Sequence, residues 1–107
     1  MSAAQFEFLA SDGFEWDESK SDANLLKHGI AFGEASEVFD GPVVISKSDR
    51  NNEERWVAIG RSHERIVTVI FTIRSQVIRI ISARHPRPNE RRAYREASLG
   101  RTTQRKD

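Results

Sequence analysis

Two periods of apolar residues divide the chain. Between Phe14 and Ile30 they recur at helical spacing, and after Gly41-Pro42 they gather into short β-branched runs. In "FEWDESKSDANLLKHGI", Asp17 suits a helix N-cap and Gly29 the position just past a helix end, which brackets roughly three turns. Ala23, Leu26 and Ile30 follow an i, i+3, i+7 pattern that predicts the buried face, with Phe14 and Trp16 at the helix entrance. Lys20, Asn24, Lys27 and His28 form the opposite, polar stripe. "FGEASEVFD" predicts a shorter second helix, apolar at Phe32, Ala35, Val38 and Phe39 and stopped by Gly41-Pro42.

"VVIS", "RWVAIG", "RIVTVIFTI" and "VIRIISA", separated by polar turns, predict four strands in an antiparallel meander. Pro86 and Pro88 end the last strand, and residues 89–99 read as a third helix. Residues 1–13 carry no period and predict a loose arm, and residues 100–107 a frayed tail. The expectation is a single α+β domain of two N-terminal helices, a four-stranded antiparallel sheet and a C-terminal helix, with the helices on one sheet face.

The tight "RSQV" turn fixes the register of the last hairpin. Pairing Ile73 with Ile78 places Thr72 opposite Arg79 and Phe71 opposite Ile80, and opposed residues share a face. Val67, Val69, Phe71, Ile73, Ile78 and Ile80 then form an apolar face for the helices. Thr68, Ile70, Thr72, Arg74, Arg79 and Ile81 form the other, open face. Arg74 beside Arg79 is costly unless an anion comes between them.

Length and composition narrow the picture. A chain of 107 residues suits one domain, and the absence of cysteine excludes disulfides and cysteine zinc sites, as expected in a reducing cytoplasm. Met1 to Ala10 lacks the basic segment and apolar run of a signal peptide, and no apolar stretch is long enough to span a bilayer. Charge is divided: residues 1–60 hold 5 Lys/Arg against 12 Asp/Glu, and residues 61–107 hold 12 against 4, eleven of those cations being arginine. Either the two halves neutralise each other in the fold, or the second half recognises an anion. Arginine's planar fork favours phosphate, which makes nucleic acid the first functional hypothesis.

Metal-free cleavage of RNA needs a base for the 2′-OH proton, cations for the crowded phosphate and an acid for the leaving oxygen. Arg74, Arg79 and Arg84 are the candidate phosphate ligands, and Lys27 and His28 would line one edge. His28 or Glu54 is the candidate proton acceptor; a helix-end cap and a turn-edge ion pair are their plainer roles. Arg55, Arg91 and Arg95 extend the basic surface, and Tyr94 either reaches polar groups with its hydroxyl or anchors the core. His28, His63 and His85 have no ligand-like spacing, so neither a metal nor another cofactor is expected. A non-catalytic module that grips nucleic acid or an acidic partner is the alternative.

The blocks "FEWDESKSDANLLKHGIAF", "EASEVF", "EERWVAIG" and "RIISARHPRPNERRAYRE" together resemble the BrnT family of type II toxin–antitoxin ribonucleases, over roughly residues 14 to 96. The family pattern falls on Asp17, Lys20, Asn24, Lys27, His28 and Gly29, on Glu54, Arg55 and Gly60, and on Arg74, Arg79, Arg84, Glu90 and Tyr94. The resemblance implies a compact RelE-like fold, ribosome-independent RNA cleavage, and neutralisation by a BrnA-type antitoxin with a ribbon-helix-helix part. It also implies that the toxin–antitoxin complex binds promoter DNA. Gly33 and the Ser75-Gln76 turn depart from the family pattern, as does the "HPRP" segment after Arg84, which bears on where the last helix docks.

Overall fold

The computed structural model describes residues 4–48 and 53–105. Of the expected arm and tail, residues 1–3 and 106–107 lie outside them. Helix α1 spans Glu18–His28 between the expected caps. Asp17 Oδ1 accepts from the Lys20 N–H at 3.2 Å. Gly29, at φ 74°, donates its N–H to the Leu25 carbonyl at 2.8 Å, a left-handed closure that glycine adopts without strain.

The buried face of α1 is not the expected one. Leu26 is 89% exposed and Ala23 is exposed as well, while Ser21 and Asn24 are buried. The Asn24 amide donates to the carbonyls of Ile30 (2.8 Å) and Ala83 (2.9 Å) and accepts from the Ala83 N–H at 3.3 Å. Ser21 Oγ accepts from the Phe32 N–H at 3.0 Å. These two side chains satisfy main-chain groups that would otherwise be buried without partners, so they take the inward positions that periodicity assigns to leucine.

The second predicted helix is one short α-helix, α2 (Phe32–Ser36), tightening into a 3-10 turn at Glu37–Asp40. Phe32, Ala35 and Val38 are buried along it. The meander comprises β2 (Val44–Lys47), β3 (Trp56–Ser62), β4 (Arg65–Arg74) and β5 (Val77–Arg84). A fifth strand, β1 (Phe14–Glu15), pairs parallel with Ile78 and Arg79 of β5. The sheet is therefore mixed and five-stranded, in the order β1-β5-β4-β3-β2, in place of the four antiparallel strands expected. Two residues are too few to show an alternating pattern, so β1 is invisible to periodicity.

The β4–β5 hairpin has the expected register at its tip, Ile73 facing Ile78 and Thr72 facing Arg79. Ser75 and Gln76 both have positive φ (51° and 67°), as a two-residue turn of type I′ requires. On one sheet face, Val67, Val69, Phe71, Ile78 and Ile80 pack against Ile30, Phe32, Ala35 and Val38. Gly60 of β3 lets the 3-10 turn approach: a Cβ there would lie 2.9 Å from both Val38 Cβ and Val43 Cγ1.

Helix α3 (Pro88–Arg105) lies on the opposite face, which corrects the expectation of helices on one side only. Tyr94 and Ala97 cluster with Val44 and Ile59. Strand β3 is apolar on both faces, with Ala58 inside one cluster and Val57 and Ile59 in the other, so it needs cover on both. The arm is tied down rather than loose: Glu7 and Val43 exchange two backbone hydrogen bonds (2.7 and 2.9 Å), and the Phe6 ring packs edge-on to Tyr94 at 5.1 Å. Helix α3 also continues to Arg105, beyond the expected end at residue 99. Among the described residues no helix is long and apolar enough to cross a membrane.

Candidate functional site

A single irregularity in β5 decides what faces what. The register steps between Ile70 and Phe71, so that Phe71 faces Ile80 but Ile70 faces Ser82, leaving Ile81 as a bulge. Without that step, Thr68 would face Ala83 and Arg84 would face the buried Val67. With it, Arg84 stands beside Thr68 on the face opposite α1, at the end of β5. Residues Thr68, Ile70, Thr72 and Arg74 of β4 thus share a face with Arg79, Ser82 and Arg84 of β5.

Where α3 begins, this face deepens into a cleft of about 530 Å³. Arg55, Arg84 and Arg87 supply its cations, Ser46, Ser48, Ser82 and Asn89 its neutral polar groups, and Val57 and Ile70 part of an apolar floor. Arg84 is fixed there by Glu90: Nη1 donates to Oε1 at 2.8 Å and Nη2 to Oε2 at 2.9 Å. Glu90 Oε1 also accepts from the Thr68 hydroxyl (3.0 Å) and from the Arg87 backbone N–H (2.8 Å). The last bond is a carboxylate in the first turn of α3 reaching back to the helix entrance, and Pro88 stands where its missing N–H costs nothing. Burial pushes the Glu90 carboxyl up, but Arg84, the Arg87 N–H and the Thr68 hydroxyl outweigh it and hold its pKa at about 2.

Arg79, Arg55 and Arg74 also meet carboxylates. Arg79 Nη1 lies 3.5 Å from Glu15 Oε2. Glu53 serves two partners, accepting from Arg55 Nε at 3.0 Å and lying 3.6 Å from Arg74 Nη2. On the opposite face Arg65 donates twice to Glu34 Oε2 (2.9 and 2.7 Å) and once to the Gly29 carbonyl (3.0 Å). Acids from the first 60 residues therefore pair with cations from the remainder, and part of the charge division is resolved inside the fold.

The structure brings Arg55 and Arg84 into one cleft and leaves Arg74 and Arg79 toward the hairpin end. With the bulge between them, Arg79 and Arg84 face Thr72 and Thr68, which puts them about 13 Å apart along the sheet at an ordinary strand rise. Glu54 is exposed: its carboxylate meets Lys47 Nζ at 3.2 Å and its backbone carbonyl accepts from the Thr72 hydroxyl at 2.8 Å. His28 ends α1 outside the cleft lining, and its carbonyl accepts from His85 Nε2 at 3.1 Å. Lys27 is exposed beside it. Arg91 and Arg95 lie exposed on α3, and Tyr94 is buried, with Arg61 stacked 5.9 Å from its ring centre. Sequence reasoning missed Arg87 and the lining serines, because the strand order, the bulge and the docking of α3 together bring them to the cleft.

No curated protein matches the chain. A family model described as the ribonuclease toxin BrnT of type II toxin–antitoxin systems matches residues 16–90, from just before α1 to the glutamate that fixes Arg84. With more than half its length in that match, the chain belongs to the BrnT family of ribonuclease toxins of type II toxin–antitoxin systems.

Proposed function

We propose that the chain is a cytoplasmic endoribonuclease that cleaves RNA without a metal ion and without the ribosome. The observation that carries this reading is the cleft at the end of the open sheet face, where Arg55, Arg84 and Arg87 converge among hydroxyl-bearing side chains. Arg84, held in one orientation by a bidentate carboxylate, is preorganised to meet charge developing on a phosphate and needs no rearrangement as the reaction proceeds. The backbone of the strand then runs over Arg79 and Arg74, with Arg91 and Arg95 as flanking contacts.

In this mechanism the ribose 2′-OH gives up its proton and attacks the adjacent phosphorus, the bond to the 5′ oxygen breaks, that oxygen takes a proton from water, and the product is a 2′,3′-cyclic phosphate. His28 or Glu54 accepts the 2′-OH proton. Among the described residues no three His, Asp or Glu side chains converge as a metal cradle, and arginine is the cation the cleft offers. Neutralisation falls to a BrnA-type ribbon-helix-helix antitoxin, and the complex of the two binds promoter DNA.

The test is incubation of the purified, antitoxin-free protein with labelled single-stranded RNA in EDTA, beside Arg84→Ala, His28→Ala and Glu54→Gln. The wild type should release cyclic-phosphate ends, and Arg84→Ala should lose on the order of a hundredfold in rate while remaining folded. The proton acceptor is the one of the other two whose variant loses a comparable factor. Neither His28 nor Glu54 lines the cleft, which favours, as a second reading, a non-catalytic module gripping nucleic acid or antitoxin. RNA bound but left intact by the wild type would establish that reading and overturn the nuclease.

A further inference from the structure

The carboxylates on the open face are of two kinds. Glu90 is locked by four short hydrogen bonds and is structural. Glu53 and Glu15 are more exposed, and each reaches its hairpin-end arginine only across a long gap, 3.6 Å to Arg74 and 3.5 Å to Arg79. Glu53 also spans a second guanidinium, that of Arg55 in the cleft. A carboxylate shared by two guanidiniums occupies the place that two oxygens of a phosphodiester would take, since arginine's fork accepts either anion. Glu15, next to Arg79 on the same face, covers a single guanidinium in the same way.

Resting on the reading of this face as the RNA-binding surface, we propose that Glu53 and Glu15 are built-in competitors for the RNA backbone. In the free protein they hold Arg55, Arg74 and Arg79 in place, and a bound strand displaces them with its own phosphates. They are positioning residues that also set the substrate class. A lone phosphate exchanges one anion for another and gains little. A polymer displaces both carboxylates in linked steps, so continuous strands are selected over mononucleotides.

The test uses a 2′-O-methyl RNA strand, which cannot undergo 2′-OH attack, and measures fluorescence anisotropy across a range of salt with wild type, Glu15→Gln, Glu53→Gln and the double variant. Each carboxylate removed should tighten binding about two- to fivefold, the worth of an exposed ion pair. The slope of log affinity against log salt should stay close to that of wild type, because a strand that has displaced the carboxylates neutralises the same phosphates in every variant. Glu64→Gln, an exposed residue in the β3–β4 turn, makes the same change in net charge and should leave the affinity as it is. Folded variants with unchanged or weaker affinity, or with a slope steeper by about 0.7 that reveals a phosphate left unpaired in wild type, would overturn the displacement. If wild type still cleaves RNA in that case, the nuclease reading survives the failure. A wild type that neither binds the methylated strand nor cleaves RNA overturns both.

Discussion

Replacing Glu90 by glutamine tests whether the carboxylate that fixes Arg84 also holds α3 to the sheet. The glutamate is nearly buried, its side chain 12% exposed, and it joins Arg84 of β5, Thr68 of β4 and the backbone at the start of α3. Its pKa falls from 4.5 to about 2 in the folded protein. Because the folded pKa is the lower one, the ionised carboxylate contributes its full stabilisation above the unfolded value and loses it as pH falls toward 2. A difference of about 2.5 units corresponds to about 3 kcal/mol at neutral pH. Glu90→Gln keeps the shape and an acceptor but not the charge, so urea unfolding at pH 7 should show the variant less stable by about 2–3 kcal/mol. The gap between wild type and variant should narrow steadily between pH 5 and pH 2, since the remaining carboxylates are common to both proteins and cancel in the difference. A gap that stays constant on acidification, or grows, would refute the assignment of this stabilisation to the charged form of Glu90.

Asn24→Ala strands the main-chain groups of Ala83 and the carbonyl of Ile30, and should cost about 3 kcal/mol or more in chemical denaturation. Leu26→Ala, at an 89% exposed position, should change stability by no more than about 0.5 kcal/mol, the reverse of what periodicity alone would rank. Gly60→Ala drives a methyl group to 2.9 Å from Val38 and Val43 and should cost about 1–3 kcal/mol, seen as a lowered thermal midpoint. Replacing Ser75-Gln76 by Asn-Gly relieves two residues held at positive φ and should stabilise the protein by about 1 kcal/mol, raising the midpoint by about 4–8 °C.

How far the sequence could be read depended on whether the deciding interaction was local. The caps of α1, the turn at Ser75-Gln76 and the register at the hairpin tip follow from residues a few positions apart, and the fold keeps all three. The arginines of the open face were visible as candidates for the same reason, since strand alternation alone places Arg74 and Arg79 on one side. Hydrophobic spacing failed where a polar side chain served the backbone of a distant strand, as Asn24 does for Ala83, 59 positions away. Strand β1 went unseen because its two residues pair with a segment far along the chain.

Short-range pattern and residue identity were enough to settle the class of fold, the family and the inventory of charged groups. Which of those charges work together was settled only when the chain folded. The bulge at Ile81 turns Arg84 onto the open face, α3 closes over the second apolar side of β3, and that closure brings Arg87 and Glu90 to the same cleft. A register step of one residue reverses the face on which every later side chain lies, and no property of arginine in the linear chain records it. Pairing Glu15 with Arg79 and Glu53 with Arg55 and Arg74 depends likewise on the strand order. Coulomb attraction makes such pairs favourable only after the backbone has brought the groups within a few ångströms.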